Sequence, residues 1–256
     1  MLAAERRTLI LAQVEQSGSV KVRELSRFFQ VTEETIRRDL EELEKQGQLQ
    51  RTYGGAIKNH GTGYDPSFAR RINTNLAEKQ QIARMVKSLI KPGDTLALDA
   101  STTALVAART FSNHLPLTIL TNSIQAALEL AAKPEINVIC TGGTVRESSL
   151  SFVGPLAQKV VSEHFYDKAI ISAKGLSLEH GMTESNHLEA ELKKCMIKSA
   201  KEVIFVADHS KFGYVGFARV CALDDIDVIV TDHLLDPEVQ QQLKEAGVEL
   251  IVAPPE

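Results

Sequence analysis

The 256-residue sequence predicts an α/β chain in two parts: a small three-helix head closed by a β-hairpin, then a larger three-layer domain on a mostly parallel sheet. Residues 5–47 carry three short helical patterns with a tight joint between the second and third, followed by a strand-like run and a Gly-Gly pair. From Thr95 onward, short β-branched runs alternate with helical patterns. Between the two lies a polar, glycine-bearing stretch from Lys58 to Pro66, which reads as a linker. The expected division is a head over 1–58, a linker over 59–74 and an α/β domain over 75–256.

In the head, residues 5–16 form an amphipathic helix, Ser17-Gly18-Ser19 turns the chain, and 21–29 give a short second helix with Leu25, Phe28 and Phe29 apolar. Gln30-Val31-Thr32 makes the tight joint. In the third helix Thr32 offers its hydroxyl as N-cap, Glu33 and Glu34 sit where the helix dipole favours carboxylates, and Gly47 closes the element. Ile36, Leu40, Leu43 and Glu44 share one face, apolar except at its last position, leaving Thr35, Arg37, Arg38 and Glu41 outward. Leu49 to Tyr53 alternates like a strand, Gly54-Gly55 permits a sharp turn and Ala56-Ile57 returns. This is the layout of a helix-turn-helix with a wing.

Two arginines early on the third helix suit a recognition helix, because a guanidinium can donate two hydrogen bonds to guanine in the major groove or clamp a phosphate. The plainer alternative pairs Arg37 and Arg38 with Glu33, Glu34, Glu41 or Glu42 as solvated charges. Residues 1–58 hold ten Lys and Arg against nine Asp and Glu, so the head is not basic in bulk. Non-specific affinity comes from phosphate neutralisation, and tight binding would then need a homo-oligomer engaging several half-sites.

Beyond the linker, residues 75–90 form an amphipathic helix. The runs 95–100, 117–121, 136–140, 168–173, 202–208, 227–231 and 249–253 read as strands covered on both faces, with helical patterns at 102–113, 123–133, 187–199 and 236–246. Ligands in such folds sit beyond the carboxyl ends of the strands. There the sequence places Ser101-Thr102-Thr103 at a helix start, Asn122, Gly143 with Arg146 close behind, Lys174, and Asp208 with Lys211. Each has a bland explanation as a cap, turn or solvated charge. Together they suit a phosphate at a helix N-terminus, with carboxylates and hydroxyls for sugar oxygens and lysine for charge.

TIRRDLEELEKQG followed by RTYGGA resembles the winged helix-turn-helix of the DeoR family of bacterial transcriptional regulators. LDASTT, LTNS, TGGTVR, AKGLSLEHGMTE, LEAELKKCMI and VADHSKFG are similar to that family's effector domain, whose fold is like ribose-5-phosphate isomerase. The resemblance implies a double-stranded DNA operator as partner, approached by Thr32, Thr35, Arg37 and Arg38, with Arg51 and Tyr53 on the wing and Lys21 and Arg23 at phosphates. It implies a phosphorylated sugar effector held by Asp99, Ser101, Thr102 and Thr103 at its phosphate, with Asn122, Gly143, Lys174, Glu184 and Lys211 around the sugar. Two departures stand out: Ala173-Lys174-Gly175 lies where many relatives and the isomerase carry an acidic residue, and Ser101 replaces the usual glycine of the phosphate loop. That isomerase needs a carboxylate to move a proton between carbons, and a lysine at the same turn supplies different chemistry, which favours sensing over catalysis.

Cys140, Cys195 and Cys221 lack pair spacing and the seven histidines lack helical metal spacing, so no metal and no cofactor are expected. The apolar runs are too short to span a membrane and no secretory signal is read, which makes the cytoplasm the expected compartment. The expected function is a repressor of a sugar-catabolic operon controlled by a phosphorylated sugar. The runner-up is a sugar-phosphate isomerase with an appended DNA-binding module.

Overall fold

The computed structural model describes residues 2–45, 48–52, 54–58 and 65–255. The head consists of α1 (Ala3–Ser17), β1 (Ser19–Lys21), α2 (Val22–Phe29), α3 (Glu33–Lys45), β2 (Leu49–Thr52) and β3 (Gly55–Lys58). Ile10 and Val14 of α1, Leu25 and Phe29 of α2, and Ile36, Leu40 and Leu43 of α3 close one core. Burying each such side chain is worth about 1.5–3 kcal/mol, which holds together helices too short to persist alone. Asp39, on the inner side of α3, accepts from Arg6 Nε at 2.5 Å and Arg7 Nε at 3.0 Å, tying α3 to α1.

The joint between α2 and α3 is tight because Gln30 takes the left-handed conformation, with φ 53°. Ser26 Oγ donates to the Val31 carbonyl at 2.6 Å, and Thr32 Oγ1 caps α3 by accepting from the Thr35 N–H at 3.2 Å. Glu44, the polar end of the inward stripe, is exposed and its Oε1 accepts from the Arg51 N–H at 2.7 Å. The wing has three strands in the order β1-β3-β2. The sequence pattern revealed only the β2–β3 hairpin, because a three-residue strand leaves no periodic trace. Gly55 is required there: a Cβ would sit 1.8 Å from the Val20 carbonyl oxygen of β1. Gly47, expected as helix stop, and Tyr53, expected on the wing, lie outside the described residues, as do 59–64 of the expected linker.

The end of that linker span is helical: α4 covers Phe68–Asn73. Phe68 and Ile72 are four residues apart and pack against the core of the larger domain, and the Phe68 N–H donates to the Ser148 carbonyl at 2.8 Å. The larger domain continues with α5 (Leu76–Leu89), β4 (Thr95–Leu98), α6 (Thr102–Arg109), β5 (Leu117–Thr121), α7 (Ile124–Leu130) and β6 (Ile136–Cys140). A hairpin of β7 (Thr144–Arg146) and β8 (Ser151–Val153) leads to α8 (Pro155–Ser162). Then come β9 (Tyr166–Ile171), β10 (Gly175–Ser177), β11 (Gly181–Glu184), α9 (His187–Ser199), β12 (Ala200–Val206), β13 (Ala218–Cys221), β14 (Val228–Asp232), α10 (Pro237–Glu245) and β15 (Glu249–Ala253).

The seven expected strands pair in the order β15-β14-β12-β9-β4-β5-β6, every pair parallel. Alternate residues feed the two faces. In β4, Leu96 and Leu98 join α5, α6 and α7 on one side, while Ala97 joins the cluster of α8, α9 and α10 on the other. The chain enters the sheet at β4, builds outward through β5 and β6, then returns to β9 on the other side of β4. That reversal opens a crevice beyond the carboxyl ends of β4 and β9, where open parallel sheets bind ligands. A small antiparallel sheet, β10-β11-β13, flanks it.

Candidate functional site

A cavity of about 290 Å³ occupies this crevice. Ala100 to Thr103 follow β4 and Ser172 to Lys174 follow β9, so both edges of the switch point line it. Ser101 caps α6, its Oγ accepting from the Ala104 N–H at 3.1 Å, so the first turn of the helix faces the cavity. Asp99 lies beneath rather than in the wall. Its Oδ1 accepts from the Ser101 N–H at 3.0 Å and its Oδ2 from the Ser172 N–H at 3.0 Å, which locks the two strand ends together.

Lys193 of α9 bonds the Asp99 carboxylate and lies 3.2 Å from Glu184 Oε1. Burial alone would lower the proton affinity of Lys193, yet Asp99, Glu184 and Glu189 around it raise it above the ordinary lysine range. Burial pushes the Glu184 carboxyl up, against the pull of Lys193. Further along the wall, Glu189 Oε1 accepts at 2.7 Å from Ser149 and from Ser151 of β8, and Arg146 Nη1 pairs with Asp65 Oδ2 at 2.7 Å.

On the other side stand Lys79, Lys174 and Lys211. Burial, helped in both cases by the positive charge of Lys211, brings Lys79 and Lys174 each down to about 8. Lys174 also sits over the Tyr214 ring, 5.1 Å from its centre. Asp208 accepts from Asn75 Nδ2 at 2.8 Å and from the Ser210 N–H at 3.1 Å. Burial opposes its ionisation, but Lys211 and the Ser210 hydroxyl hold its carboxyl below the usual range. Lys79 also donates to the Arg71 carbonyl and, at 2.7 Å, to the Thr74 carbonyl, which leaves Lys174 and Lys211 as the cations that share the cavity with the start of α6; an anion there would relieve the repulsion of Lys211 with its two neighbours.

The residues expected at the effector site divide accordingly. Ser101, Thr102, Thr103, Lys174, Glu184 and Lys211 line the cavity, and Asp99 supports it. Asn122 and Gly143 do not line it. Asn122 is clamped to β8, donating to the Phe152 carbonyl at 3.2 Å and accepting from the Phe152 N–H through its own carbonyl at 2.8 Å. Gly143 serves packing: a Cβ there would lie 2.8 Å from the Val153 carbonyl oxygen. Asn75, Lys79, Glu189 and Lys193 also line the cavity, although none of them follows a strand end directly. Glu189 and Lys193 carried a signal: with Leu192 and Met196 they stand at i, i+4, i+3 and i+7, the buried stripe of α9, where charges belong only if they meet partners.

In the head, Thr32, Arg37 and Arg38 are exposed on α3 and Thr35 is half-buried. Arg37 lies 3.6 Å from Glu33 and Arg38 3.3 Å from Glu34, while Arg23 of α2 is 3.5 Å from the same Glu33. The pairing foreseen in the plainer alternative is therefore present. Exposed pairs of this kind are worth about 0.2–1 kcal/mol and leave the guanidiniums available. Lys21 is exposed on β1, and Arg51 is half-buried on β2.

A winged helix-turn-helix joined to a ligand-sized crevice at a sheet's switch point is the build of a transcriptional regulator that carries its own sensor. The DeoR-like helix-turn-helix domain matches residues 6–62, and the DeoR C terminal sensor domain matches 74–233. The uncharacterized HTH-type transcriptional regulator YulB of Bacillus subtilis is 42% identical over 99% of this chain and 98% of its own. The HTH-type transcriptional repressor GlcR of Bacillus subtilis is 36% identical over 98% and 97%, and the putative aga operon transcriptional repressor of Escherichia coli O157:H7 34% over 97% and 93%. Among solved structures, ribose 5-phosphate isomerase A from Methanocaldococcus jannaschii is 18% identical, covering 52% of this chain and 53% of its own, with a TM-score of 0.39. This chain belongs to the DeoR family and is a DNA-binding transcriptional regulator. Among the described residues, no helix is long and apolar enough to cross a membrane.

Proposed function

We propose that this regulator represses an operon for sugar use and leaves its operator when a monosaccharide phosphate fills the cavity between β4 and β9. The observation that carries the ligand class is that Lys174 and Lys211, with Lys79 behind them, line the same cavity as Ser101, Thr102 and Thr103 at the start of α6. The cavity, about 290 Å³, lies at the small end of ligand pockets and suits one sugar ring or chain better than a dinucleotide. Ser101, Thr102 and Thr103 and the lysines take the phosphate, and Glu184, with its neighbours Glu189 and Arg146, takes sugar hydroxyls. Two relatives named as repressors support the direction of control.

In the same reading Thr32, Thr35, Arg37 and Arg38 enter the major groove, with Lys21, Arg23 and the wing residues Arg51 and Tyr53 on the backbone or minor groove. A head with so little surplus charge gains affinity by pairing, so the working form is a homo-oligomer acting in the cytoplasm on two or more half-sites. In this reading the protein senses the phosphosugar rather than isomerising it, since Lys174 stands where, by the family resemblance, the isomerase carries an acidic residue. Calorimetry of the full chain with phosphorylated and unphosphorylated sugars, beside gel shifts on its own promoter, tests all of this. Binding of one phosphosugar that releases DNA is expected; indifference to every phosphosugar, or steady turnover of one, defeats the proposal.

A further inference from the structure

The cavity has a wall that the sensor domain does not supply. Ser17, Gly18 and Ser19, the turn between α1 and β1, line it together with Ile57 and Lys58 of β3, so part of the DNA-reading head faces the same space as Lys174 and Thr102. The turn lies against α4: a Cβ on Gly18 would come within 2.4 Å of Arg70 Nη2. Lys21 of β1 is also close enough to His209 for its charge to oppose protonation of that imidazole. Within the head, the Lys58 N–H donates to the Gly18 carbonyl at 3.1 Å and the Lys58 ammonium bonds Glu15, which joins the turn, α1 and β3 into one piece.

We propose that the ligand reaches across the cavity, with its phosphate on the lysine cluster and its remote hydroxyl end on the head, where Lys58 and the backbone of the Ser17–Ser19 turn contact it. This rests on the phosphosugar reading above. Glu15 already neutralises Lys58, so the ammonium suits a hydroxyl oxygen better than a second phosphate. A ligand held by both parts binds only when the head is seated over the cavity, and it therefore favours that seating by the same factor. β3, which ends at Lys58, is itself a strand of the wing and pairs with β2, which carries Arg51. Seating thus fixes the direction in which the wing and α3 point, and an oligomer whose heads are fixed out of half-site spacing loses its operator.

The test uses the full chain, without DNA, and two probes: a set of aldose and ketose monophosphates, and inorganic phosphate. Lys58→Met is expected to weaken the phosphosugar about tenfold and leave inorganic phosphate unchanged, because phosphate alone fills only the lysine end. In the parent chain, the phosphosugar should slow amide exchange at 17–19 and 55–58 as well as at 101–104, whereas inorganic phosphate should protect 101–104 alone. A phosphosugar that binds parent and Lys58→Met equally, and protects 101–104 but not 17–19 or 55–58, overturns the inference while leaving the phosphosugar reading intact. A parent chain that binds no phosphosugar removes both.

Discussion

Asn75 donates from Nδ2 to Asp208 Oδ1 at 2.8 Å, so the residue immediately before α5 also holds a carboxylate of the ligand cavity in place. Asn75 has φ 52°, a left-handed conformation that asparagine tolerates better than most residues. Asn75→Ala loses the hydrogen bond and adds backbone strain, and we expect a loss of about 2–4 kcal/mol in urea unfolding. Asn75→Gly keeps the backbone comfortable and loses about 1–2 kcal/mol. Equal stabilities for the two variants would contradict the account.

Arg37→Ala and Arg38→Ala are each expected to weaken operator binding by about 1–3 kcal/mol where the side chain reads a base. A side chain that meets only phosphate gives a smaller loss, uniform across sequences, with a shallower salt dependence. Gel shifts at two salt concentrations separate these outcomes, and unchanged affinity in both variants removes α3 as the reading element.

Thr102→Ala is expected to weaken the response to the effector while leaving operator affinity in its absence unchanged. Thr102 is buried at the first turn of α6 beside the lysines and far in sequence from the head. Identical calorimetric titrations for variant and parent would rule out the phosphate site at α6.

Lys79 and Lys174 are held near 8 by burial and by Lys211, so each is about half protonated at pH 8. A phosphate dianion favours the charged ammonium, and binding at pH 8 must therefore take up protons. The measured enthalpy should change with the buffer's ionisation heat at pH 8 and lose the lysine contribution at pH 6, where both lysines are already charged. For the free chain the sign follows from linkage. Between about pH 8 and 10.5 the unfolded chain holds more protons on these lysines than the folded one, so they make stability rise with pH through that window. Double replacement Lys79→Met, Lys174→Met should flatten both effects.

Lys193→Ala leaves Asp99 and Glu184 without their buried partner, and we expect a loss of about 3–5 kcal/mol, read from urea midpoints. Adding Asp99→Asn to that variant should recover part of the loss, since the stranded charge goes with it.

The seven strands of the large sheet and most of the helices between them were legible because each is a continuous apolar run or a stripe at helical spacing, whereas α8 and the short strands β7, β8, β10, β11 and β13 are too brief to leave a periodic trace. The helix-turn-helix was legible because Ile36, Leu40 and Leu43 repeat on the face opposite Arg37 and Arg38. What stayed hidden depends on contacts between distant segments. α4 looked like linker because only Phe68 and Ile72 of its six residues are apolar, and their partner surface lies in the next domain. Asn122 and Gly143 looked like ligand residues because strand ends attract both ligands and tight packing. Here the β7–β8 hairpin claims them for packing. Lys79 reached the cavity through a helix judged by its apolar face alone.

The crevice at the reversal of the sheet is walled by segments drawn from Ser17 to Tyr214. A ribosome finishes the head long before the last of these emerges. The part that grips DNA can therefore be complete on a growing polypeptide that has no means yet of being told to let go.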